Sequence, residues 1–387
     1  MLNRVLCKKA LELSEKFQVI AITGPRQSGK TTLAKMAFPK KFYCSLEDPG
    51  LRRIALDDPR GFLEAHPEGI VLDEAQRAPE LFSYIQTIVD RDGRPGQFIL
   101  TGSQNFLLHE SISQTLAGRV AMLKLLPFSY EEISGTGYDI HELDDLLFTG
   151  LYPGIHERVI SPKDWFPNYI QTYVERDLRS LQNVFDLNLF QKFVRLCAGR
   201  AGQLVNFSSL ASDCGISHNT VKSWLGLLEQ SYLIFFAKPY HNNFSKRLVK
   251  MPKLFFYDSG LICSLLGIEN SAQLVTHYLR GSIFESFVAS ELMKYRTNRG
   301  IADGLYFFRD KTGHEIDCIV EAGGKPVAFE AKSGRTVVPD HLDSIRYWEK
   351  ISNQTGLSFI VYAGEEKMRI RNTNIVGWRD IAGIALY

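Results

Sequence analysis

The chain has 387 residues, of which 45% are hydrophobic and 23% are charged, and its formal net charge is +2. This length exceeds what one hydrophobic core usually supports, and the composition is ordinary for a globular protein. We therefore expect two or three domains without extensive disorder. The near-neutral charge gives no overall signal for polyanion binding, so any nucleic-acid hypothesis must rest on local features.

Cysteine usage and hydropathy indicate the class of protein. The six cysteines are dispersed with no CxxC pair, which argues against a zinc site or a disulfide framework and fits a reducing cytoplasm. No apolar run approaches the roughly 18 residues that span a bilayer, and charges occupy the N-terminal stretch where a signal peptide is apolar. We therefore expect a cytoplasmic protein with no membrane partner.

The first third of the chain, residues 1–135, is predicted to form an α/β domain. "QVIAIT" predicts a strand, which is followed by a glycine-containing loop and by the helical stretch "KTTLAKMAF". "GIVLDEAQ" and "GQFILTGS" predict two more strands. Both runs are apolar throughout, which is typical of a parallel sheet buried on both faces by helices.

The loop "GPRQSGKTT" fits the phosphate-binding pattern G-x-x-x-x-G-K-[ST]. We expect its backbone N–H groups to wrap phosphates at a helix N-terminus, while Lys30 neutralises phosphate charge and the Thr31 hydroxyl coordinates Mg²⁺. A chance glycine-rich loop would lack the flanking strand and helix. The predicted contacts with ATP and Mg²⁺ are Gly24, Pro25, Arg26, Gln27, Ser28, Gly29, Lys30, Thr31 and Thr32.

"IVLDEAQ" places Asp73 and Glu74 at the C-terminal end of a strand, where ligands bind in open α/β sheets. We expect Asp73 to hold Mg²⁺, directly or through water, and Glu74 to orient or deprotonate the attacking water. The alternative is that the two carboxylates only begin a solvated helix.

Polar residues near the next two strands are further candidates. Thr101 and Ser103 follow the third strand, where such side chains either sense the γ-phosphate or simply cap the strand. Arg119, in "LAGRV", is a candidate for stabilising transition-state charge in a neighbouring subunit, which would require a homo-oligomer. An ordinary surface arginine is the alternative.

The middle of the chain is predicted to be helical. Residues 136–189 form a lid or connector with a break at "GLYPG" and an amphipathic helix at "YIQTYVERDLRSL". Residues 190–260 have the pattern of a helix-turn-helix with its turn at Gly215, followed by a wing. The residues expected to pack inside the two helices are Leu210, Ala211, Val221, Trp224, Leu225 and Leu228.

The same segment is a candidate DNA reader. The positions expected to face a major groove or phosphates are His218, Asn219, Thr220, Lys222 and Ser223. The wing, between the strand-like "YLIFFAKPY" and "KLFFYD", adds basic residues that suit phosphate contacts, namely Lys246, Arg247, Lys250 and Lys253. Winged helices also dock proteins, so a protein partner is the alternative.

Residues 315–332, "EIDCIVEAGGKPVAFEAK", predict two strands joined by a Gly323-Gly324 turn. With a two-residue turn, Asp317 lies opposite Glu330 and Glu315 lies opposite Lys332. Because side chains alternate along a strand, these four share one face. The apolar face consists of Ile316, Cys318, Val320, Val327, Phe329 and Ala331.

The acidic face of this hairpin contains a like-charge pair, which costs stability when directly opposed. A divalent cation held by Asp317 and Glu330 would compensate, with Lys332 orienting or activating a water molecule. Lys332 alone, placed diagonally, is a second way to compensate. The remaining alternative is that this is only the solvated face of a hairpin.

These motifs resemble the AAA-type ATPases of bacteria and archaea whose P-loop domain precedes a C-terminal domain of unknown function with a nuclease-like fold. The resemblance covers nearly the whole chain. Its carriers are "GPRQSGKTT", "SLEDP", "VLDEAQ", "LTGSQ", "LAGRV", "LLPFSYEE", "YVERDL" and "GHEID…FEAKSG". It implies an α/β fold with a five-stranded core of the additional-strand class, a winged-helix segment, and a restriction-endonuclease-like domain over 261–387 similar to the PD-(D/E)xK nucleases.

The resemblance also matches Glu285, at the edge of an amphipathic helix predicted near 281–297, to the nuclease helix acid. Glu285 thereby joins Asp317 and Glu330 as an implied metal ligand, while Ser286 replaces the asparagine usual in the family. The expected function is an ATPase associated with DNA. The alternative is a nucleotide-regulated DNA-binding or protein-interaction scaffold without nuclease chemistry.

Overall fold

A computed structural model of the chain describes residues 2–103, 115–177, 186–240 and 250–384. The chain divides into two compact units. The first unit consists of Met1–Pro127, Gln230–Tyr232 and Arg296–Ile301. The second unit consists of Phe128–Glu229, Leu233–Tyr295 and Ala302–Tyr387. The predicted connector, helix-turn-helix and C-terminal segments thus lie almost entirely in the second unit.

The first unit alternates helices and strands. Its elements are α1 (Leu6–Ser14), β1 (Val19–Thr23), α2 (Lys30–Ala37), β2 (Phe42–Ser45), α3 (Pro49–Asp57), α4 (Pro59–Glu64), β3 (Ile70–Asp73), α5 (Leu81–Asp92), β4 (Phe98–Gly102) and β5 (Val120–Lys124). The strands form a parallel sheet whose order in the described residues is β2-β3-β4-β1-β5. The five-stranded core implied by the resemblance is therefore present.

The strands at the centre of this sheet are buried on both faces, as predicted. In β1, Val19 and Ala21 pack into the apolar cluster on one face, while Ile20 and Ile22 pack into the cluster on the other. Strands β3 and β4 are likewise buried at every position. Because parallel strands end at a common edge, the loops after β1, β3 and β4 meet there.

The second unit begins with short helices and continues into a large sheet. Its elements are α6 (Tyr130–Ile133), α7 (Leu143–Thr149), α8 (Pro153–Glu157), α9 (Pro162–Tyr169), a π-helix (Ile170–Asp177), α10 (Leu187–Ala198), β6 (Gln203–Leu204), α11 (Phe207–Cys214), α12 (His218–Gln230), β7 (Ile234–Pro239), β8 (Lys253–Phe256), α13 (Ser259–Leu265), α14 (Ser271–Thr276), α15 (Arg280–Asn298), β9 (Leu305–Arg309), β10 (Glu315–Ala322), β11 (Lys325–Lys332), α16 (Asp343–Ser352), β12 (Ser358–Tyr362), β13 (Met368–Ile370) and β14 (Thr373–Gly377).

Helices α11 and α12 form the predicted helix pair. Gly215 ends α11 in the left-handed region at φ +79°, which a glycine adopts without strain. All six residues expected to pack inside the pair are buried. On α12, His218, Asn219, Lys222 and Ser223 are exposed as predicted, whereas Thr220 is half-buried. The wing residues Lys246 and Arg247 lie outside the described part of the chain.

Strands of the second unit join into one sheet, with the order β13-β14-β12-β11-β10-β9-β7-β8-β6 among the described residues. Strand β7 makes the connection, because it pairs antiparallel with β8 and parallel with β9. The strands that follow the helix pair therefore continue into the C-terminal sheet, and the predicted boundary at 260/261 does not interrupt it.

Helix α15 differs from its prediction. The sequence indicated one packed side, but nearly every position from Ile283 to Tyr295 is buried. Its buried serines are satisfied by backbone: the Ser286 hydroxyl accepts from the Phe256 N–H at 3.0 Å, and Ser290 donates to the Tyr257 carbonyl at 2.8 Å. In the described residues, no helix combines the length and apolar character needed to cross a membrane.

Candidate functional site

The phosphate-binding loop connects β1 to α2. Gly24 and Gly29 have φ angles of +152° and +90°, and Gln27 also has a positive φ of +61°. A Cβ atom on Gly24 would collide with the Leu125 carbonyl. The two glycines of the motif are therefore required by the backbone itself, since other residues rarely adopt these angles. Pro25 and Ser28 are buried inside the loop, whereas Arg26 and Thr32 are half-buried.

Lys30 begins α2 and turns its ammonium group back into the loop. Nζ donates to the carbonyl oxygens of Gly24 at 3.0 Å and Pro25 at 2.8 Å. Burial lowers the pKa of Lys30 to about 8, because a buried ammonium loses its hydration. A phosphate group would restore an anionic partner. Ser28 Oγ is also buried, without a hydrogen-bond partner among the described residues, so the loop fits a bound phosphate.

The carboxylate of Asp73, the last residue of β3, accepts hydrogen bonds from three side-chain hydroxyl groups. Thr31 Oγ1 lies 2.9 Å from Oδ2, the Tyr43 hydroxyl donates to the same oxygen at 2.7 Å, and Thr101 Oγ1 donates to Oδ1. The two predicted magnesium ligands, Thr31 and Asp73, are thus in direct contact. Both supply oxygen, which Mg²⁺ prefers, so this pair fits the ion.

Glu74 follows in the left-handed region at φ +54°, which is uncommon for a residue other than glycine. Its Oε2 accepts a hydrogen bond from Ser103 Oγ at 3.0 Å and another from the Gln76 side-chain amide. The structure therefore brings together the predicted catalytic glutamate and the predicted γ-phosphate sensor. Of this network, Tyr43 and Gln76 were not identified from the sequence.

Arg119 lies just before β5 and has a partner in its own chain. Its guanidinium pairs with Asp90 of α5, with Nη2 2.9 Å from Oδ2, and its side chain is one-third exposed. The role proposed for it in a neighbouring subunit stays a prediction.

The C-terminal hairpin has the predicted register. Gly323 and Gly324 turn the chain at φ +57° and +73°, and Cys318 lies opposite Phe329. The acidic side of the hairpin is not solvated, however. Glu330 is 2% exposed, and Ile319 and Ala328 on the same two strands are fully buried. The interpretation as a solvated hairpin face is therefore wrong.

Lys253, the first residue of β8, lies among the predicted metal ligands. Its Nζ is 2.8 Å from Glu285 Oε1 and 3.4 Å from Asp317 Oδ1, and it also pairs with Glu315. Lys253 is 2% exposed, so the prediction that it contacts DNA phosphates is wrong. Burial by itself would lower the pKa of Lys253, but the three carboxylates outweigh it and raise the pKa.

Glu330 pairs with Lys332 and not with Lys253; the Lys332 Nζ lies 2.8 Å from Glu330 Oε2. Its Oε1 is buried without a hydrogen-bond partner in the described part of the chain. Burial, reinforced by Asp317, raises the pKa values of Glu285 and Glu330, each to about 8. Within the described residues, no group of three or more His, Cys, Asp or Glu side chains is arranged to hold a metal ion. In the structure Glu285 and Asp317 pair with Lys253, and Glu330 pairs with Lys332; the metal role of these three carboxylates stays a prediction.

Three family models match the chain in succession. They are an AAA domain over residues 16–134, a domain of unknown function (DUF8612) over 140–272 and a domain of unknown function (DUF4143) over 280–381. The AAA match includes the whole phosphate loop, Asp73, Glu74 and Arg119. The other two descriptions carry no activity, so the winged helix and the nuclease-like fold stay predictions.

Relatives of the whole chain come from mycobacteria. The chain is 31% identical over 360 residues to "Uncharacterized protein Rv2008c" of Mycobacterium tuberculosis and to its counterpart Mb2031c of Mycobacterium bovis, covering 92% of this chain and 78% of each relative. Among solved structures, the Walker-type ATPase PABY2304 of Pyrococcus abyssi is 15% identical, with a TM-score of 0.41, covering 67% of this chain and 94% of that one. The identity to the two mycobacterial proteins shows that the chain belongs to their family, and the match to the AAA model shows that its N-terminal region is an AAA-type P-loop ATPase domain.

Proposed function

We propose that this protein binds ATP with Mg²⁺ and hydrolyses it in the first unit. The observation that carries the proposal is the contact between Thr31 at the start of α2 and Asp73 at the end of β3, with Glu74 next in the chain. These groups come from separate elements, yet they meet at the sheet edge where the phosphate loop begins. This is the combination of residues that phosphoryl transfer requires.

The loop supplies the phosphate site. Lys30 brings a positive charge, and its two carbonyl partners are weaker acceptors than a phosphate oxygen, so a nucleotide would replace them. Backbone N–H groups at the start of α2 add further donors and a favourable dipole. The polyphosphate of ATP would therefore bind along Gly24–Thr32.

Thr31 and Asp73 would hold Mg²⁺, which neutralises phosphate charge when bound. Glu74 would act as the general base that orients or deprotonates the attacking water. Its hydrogen bond from Ser103 supports this role, because a fixed carboxylate needs less reorganisation during the reaction. Ser103, which follows β4, would also contact the γ-phosphate, so that its position would depend on whether this phosphate is present.

Two substitutions test this function. Lys30→Ala removes the buried charge, so we expect ATP affinity to fall by at least tenfold.

Glu74→Gln keeps the shape of the side chain but removes its basicity, so we expect ATP binding to remain while the turnover rate falls by at least a hundredfold. Calorimetry with ATP and a phosphate-release assay measure the two effects. Undiminished hydrolysis in both variants would refute the proposal.

We also propose that the second unit associates with DNA through α12. The observation that favours this association is the exposed polar run His218, Asn219, Lys222 and Ser223 on the second helix of a helix-turn-helix pair. Lys250 is exposed as well, whereas Lys253 is not available. Stimulation of ATP hydrolysis by DNA would support this association, and absence of DNA affinity at every salt concentration would favour a protein partner instead.

A further inference from the structure

We propose that Lys253 is the built-in cation of the C-terminal carboxylate cluster, formed by Glu285, Glu315, Asp317 and Glu330, and that it excludes a divalent metal ion. The ammonium group stands in for the metal that these carboxylates would otherwise require. This inference is independent of ATP hydrolysis, because every residue that it uses belongs to the second unit.

The fold fixes Lys253 in position. Its strand, β8, is paired on both sides, since Lys253 lies opposite Leu204 of β6 and opposite Ala237 of β7. The backbone of this lysine is therefore held by the sheet, in contrast to a lysine on an exposed loop. Its ammonium group also lies over the Phe307 ring, with Nζ 5.8 Å from the ring centroid.

The number of N–H donors on the Lys253 ammonium group equals the number of carboxylates that it contacts. A lysine has three N–H donors, and Nζ contacts three carboxylates: Glu285, Asp317 and Glu315. A divalent ion bound by Glu285 and Asp317 would have to share their oxygens with this buried positive charge. Repulsion between the two cations at such short range opposes metal binding in a medium of low dielectric.

Charge compensation also accounts for the like-charge pair of the hairpin. Asp317 Oδ1 pairs with the Lys253 ammonium group, and Oδ2 accepts a hydrogen bond from the Ala331 N–H at 2.9 Å. Glu330 receives Lys332. Each of the two opposed acids contacts a lysine, with Lys253 shared among Asp317, Glu285 and Glu315, and Arg309 adds a third cation at 3.1 Å from Glu315. Both opposed carboxylates therefore have a cationic partner within the chain, while Glu330 Oε1 has no hydrogen-bond partner among the described residues.

Binding of Mn²⁺ to the full-length chain without nucleotide tests the proposal, with free Mn²⁺ measured by electron paramagnetic resonance. We expect wild type and Asp317→Asn to bind the same amount, because the cluster of the wild type takes no metal. Lys253→Met keeps the length of the side chain and removes its charge. We expect it to gain one Mn²⁺ per chain, at least tenfold tighter than any wild-type site, and to lose it again in Lys253→Met/Asp317→Asn.

Lys250→Met is the matched control, since it removes the same charge three residues earlier at an exposed position; it should bind Mn²⁺ as the wild type does. A wild-type Mn²⁺ site that Asp317→Asn abolishes would overturn the proposal, whether or not Lys253→Met folds. A folded Lys253→Met variant that gains no site would overturn it as well. Lys253→Arg, which keeps the charge, should gain none.

Discussion

The Asp73 carboxylate is fixed by hydroxyl groups from three different elements. Of the three donors, only Tyr43 of β2 lies outside the motifs identified in the sequence. Hydrogen bonds to charged groups contribute about 1.5–3 kcal/mol when a partner is removed. We expect Tyr43→Phe to lower the free energy of unfolding by about 1–2 kcal/mol, because Thr31 and Thr101 still donate to the carboxylate. We also expect weaker hydrolysis at low Mg²⁺, since Asp73 becomes less well oriented.

Urea denaturation and ATPase assays across a Mg²⁺ series measure these effects. Tyr84→Phe is the control, because Tyr84 on α5 is 42% exposed and loses the same hydroxyl. Equal effects from both substitutions would show that the Asp73 contact contributes nothing specific.

Residues in a motif were predictable because their spacing along the chain determines their geometry. Lys30, Thr31, Asp73 and Glu74 belong to this group. Lys253 was predicted to contact DNA phosphates, because a basic residue in a short stretch of sequence gives no sign of a distant acidic partner. Glu285 and Asp317 lie 32 and 64 residues further along the chain, and only the folded arrangement of β8, α15 and β10 brings them to Lys253.

Helix α12 carries the prediction for DNA. Lys222 is exposed on the helix that enters the major groove in helix-turn-helix proteins. If it contacts a phosphate, Lys222→Ala should weaken binding at low salt and reduce the slope of log affinity against log salt by about one. Fluorescence anisotropy with labelled duplex DNA measures both quantities. Lys350→Ala, at an exposed position on α16, should leave them unchanged, and equal slopes for the two variants would argue against a contact by α12.

The predicted elements were most accurate where the hydrophobic period was simple. Apolar runs gave β1, β3 and β4, and the Gly323-Gly324 turn gave the register of β10 and β11. Helix α15 was harder, because polar residues such as Ser286 and Ser290 lie outside the side of the helix that was predicted to pack. In the structure both serines are buried and hydrogen-bonded to backbone groups, so their polarity did not mark an exposed side.

At the scale of the whole molecule, the sheet of the second unit shows why the predicted segments were not independent. The stretch 190–260 ends in β7 and β8, and β7 pairs with β9 of the following segment. A boundary inferred from a change in pattern cannot reveal such pairing, because strand partners are far apart in the sequence. Lys253 reaches the carboxylates through this same continuity.

Assembly gives the last prediction, which concerns Arg119. If this residue acts on ATP bound by a neighbouring copy, Arg119→Ala should keep its ATP affinity and lose at least tenfold in turnover. The variant has an intact Glu74 but supplies no arginine, whereas Glu74→Gln supplies the arginine but cannot hydrolyse. Mixing the two variants should therefore restore activity above that of either alone, because a mixed interface contains both groups.

The intrachain partner of Arg119 provides the control. Asp90→Asn breaks the ion pair with Arg119 but leaves the guanidinium available to a neighbour. If Arg119 only stabilises the fold through Asp90, then Asp90→Asn and Arg119→Ala should lower the melting temperature and the turnover rate alike, and mixing should restore nothing. If it acts between copies, Asp90→Asn should retain most of its turnover while Arg119→Ala does not, and turnover should rise with protein concentration as copies associate.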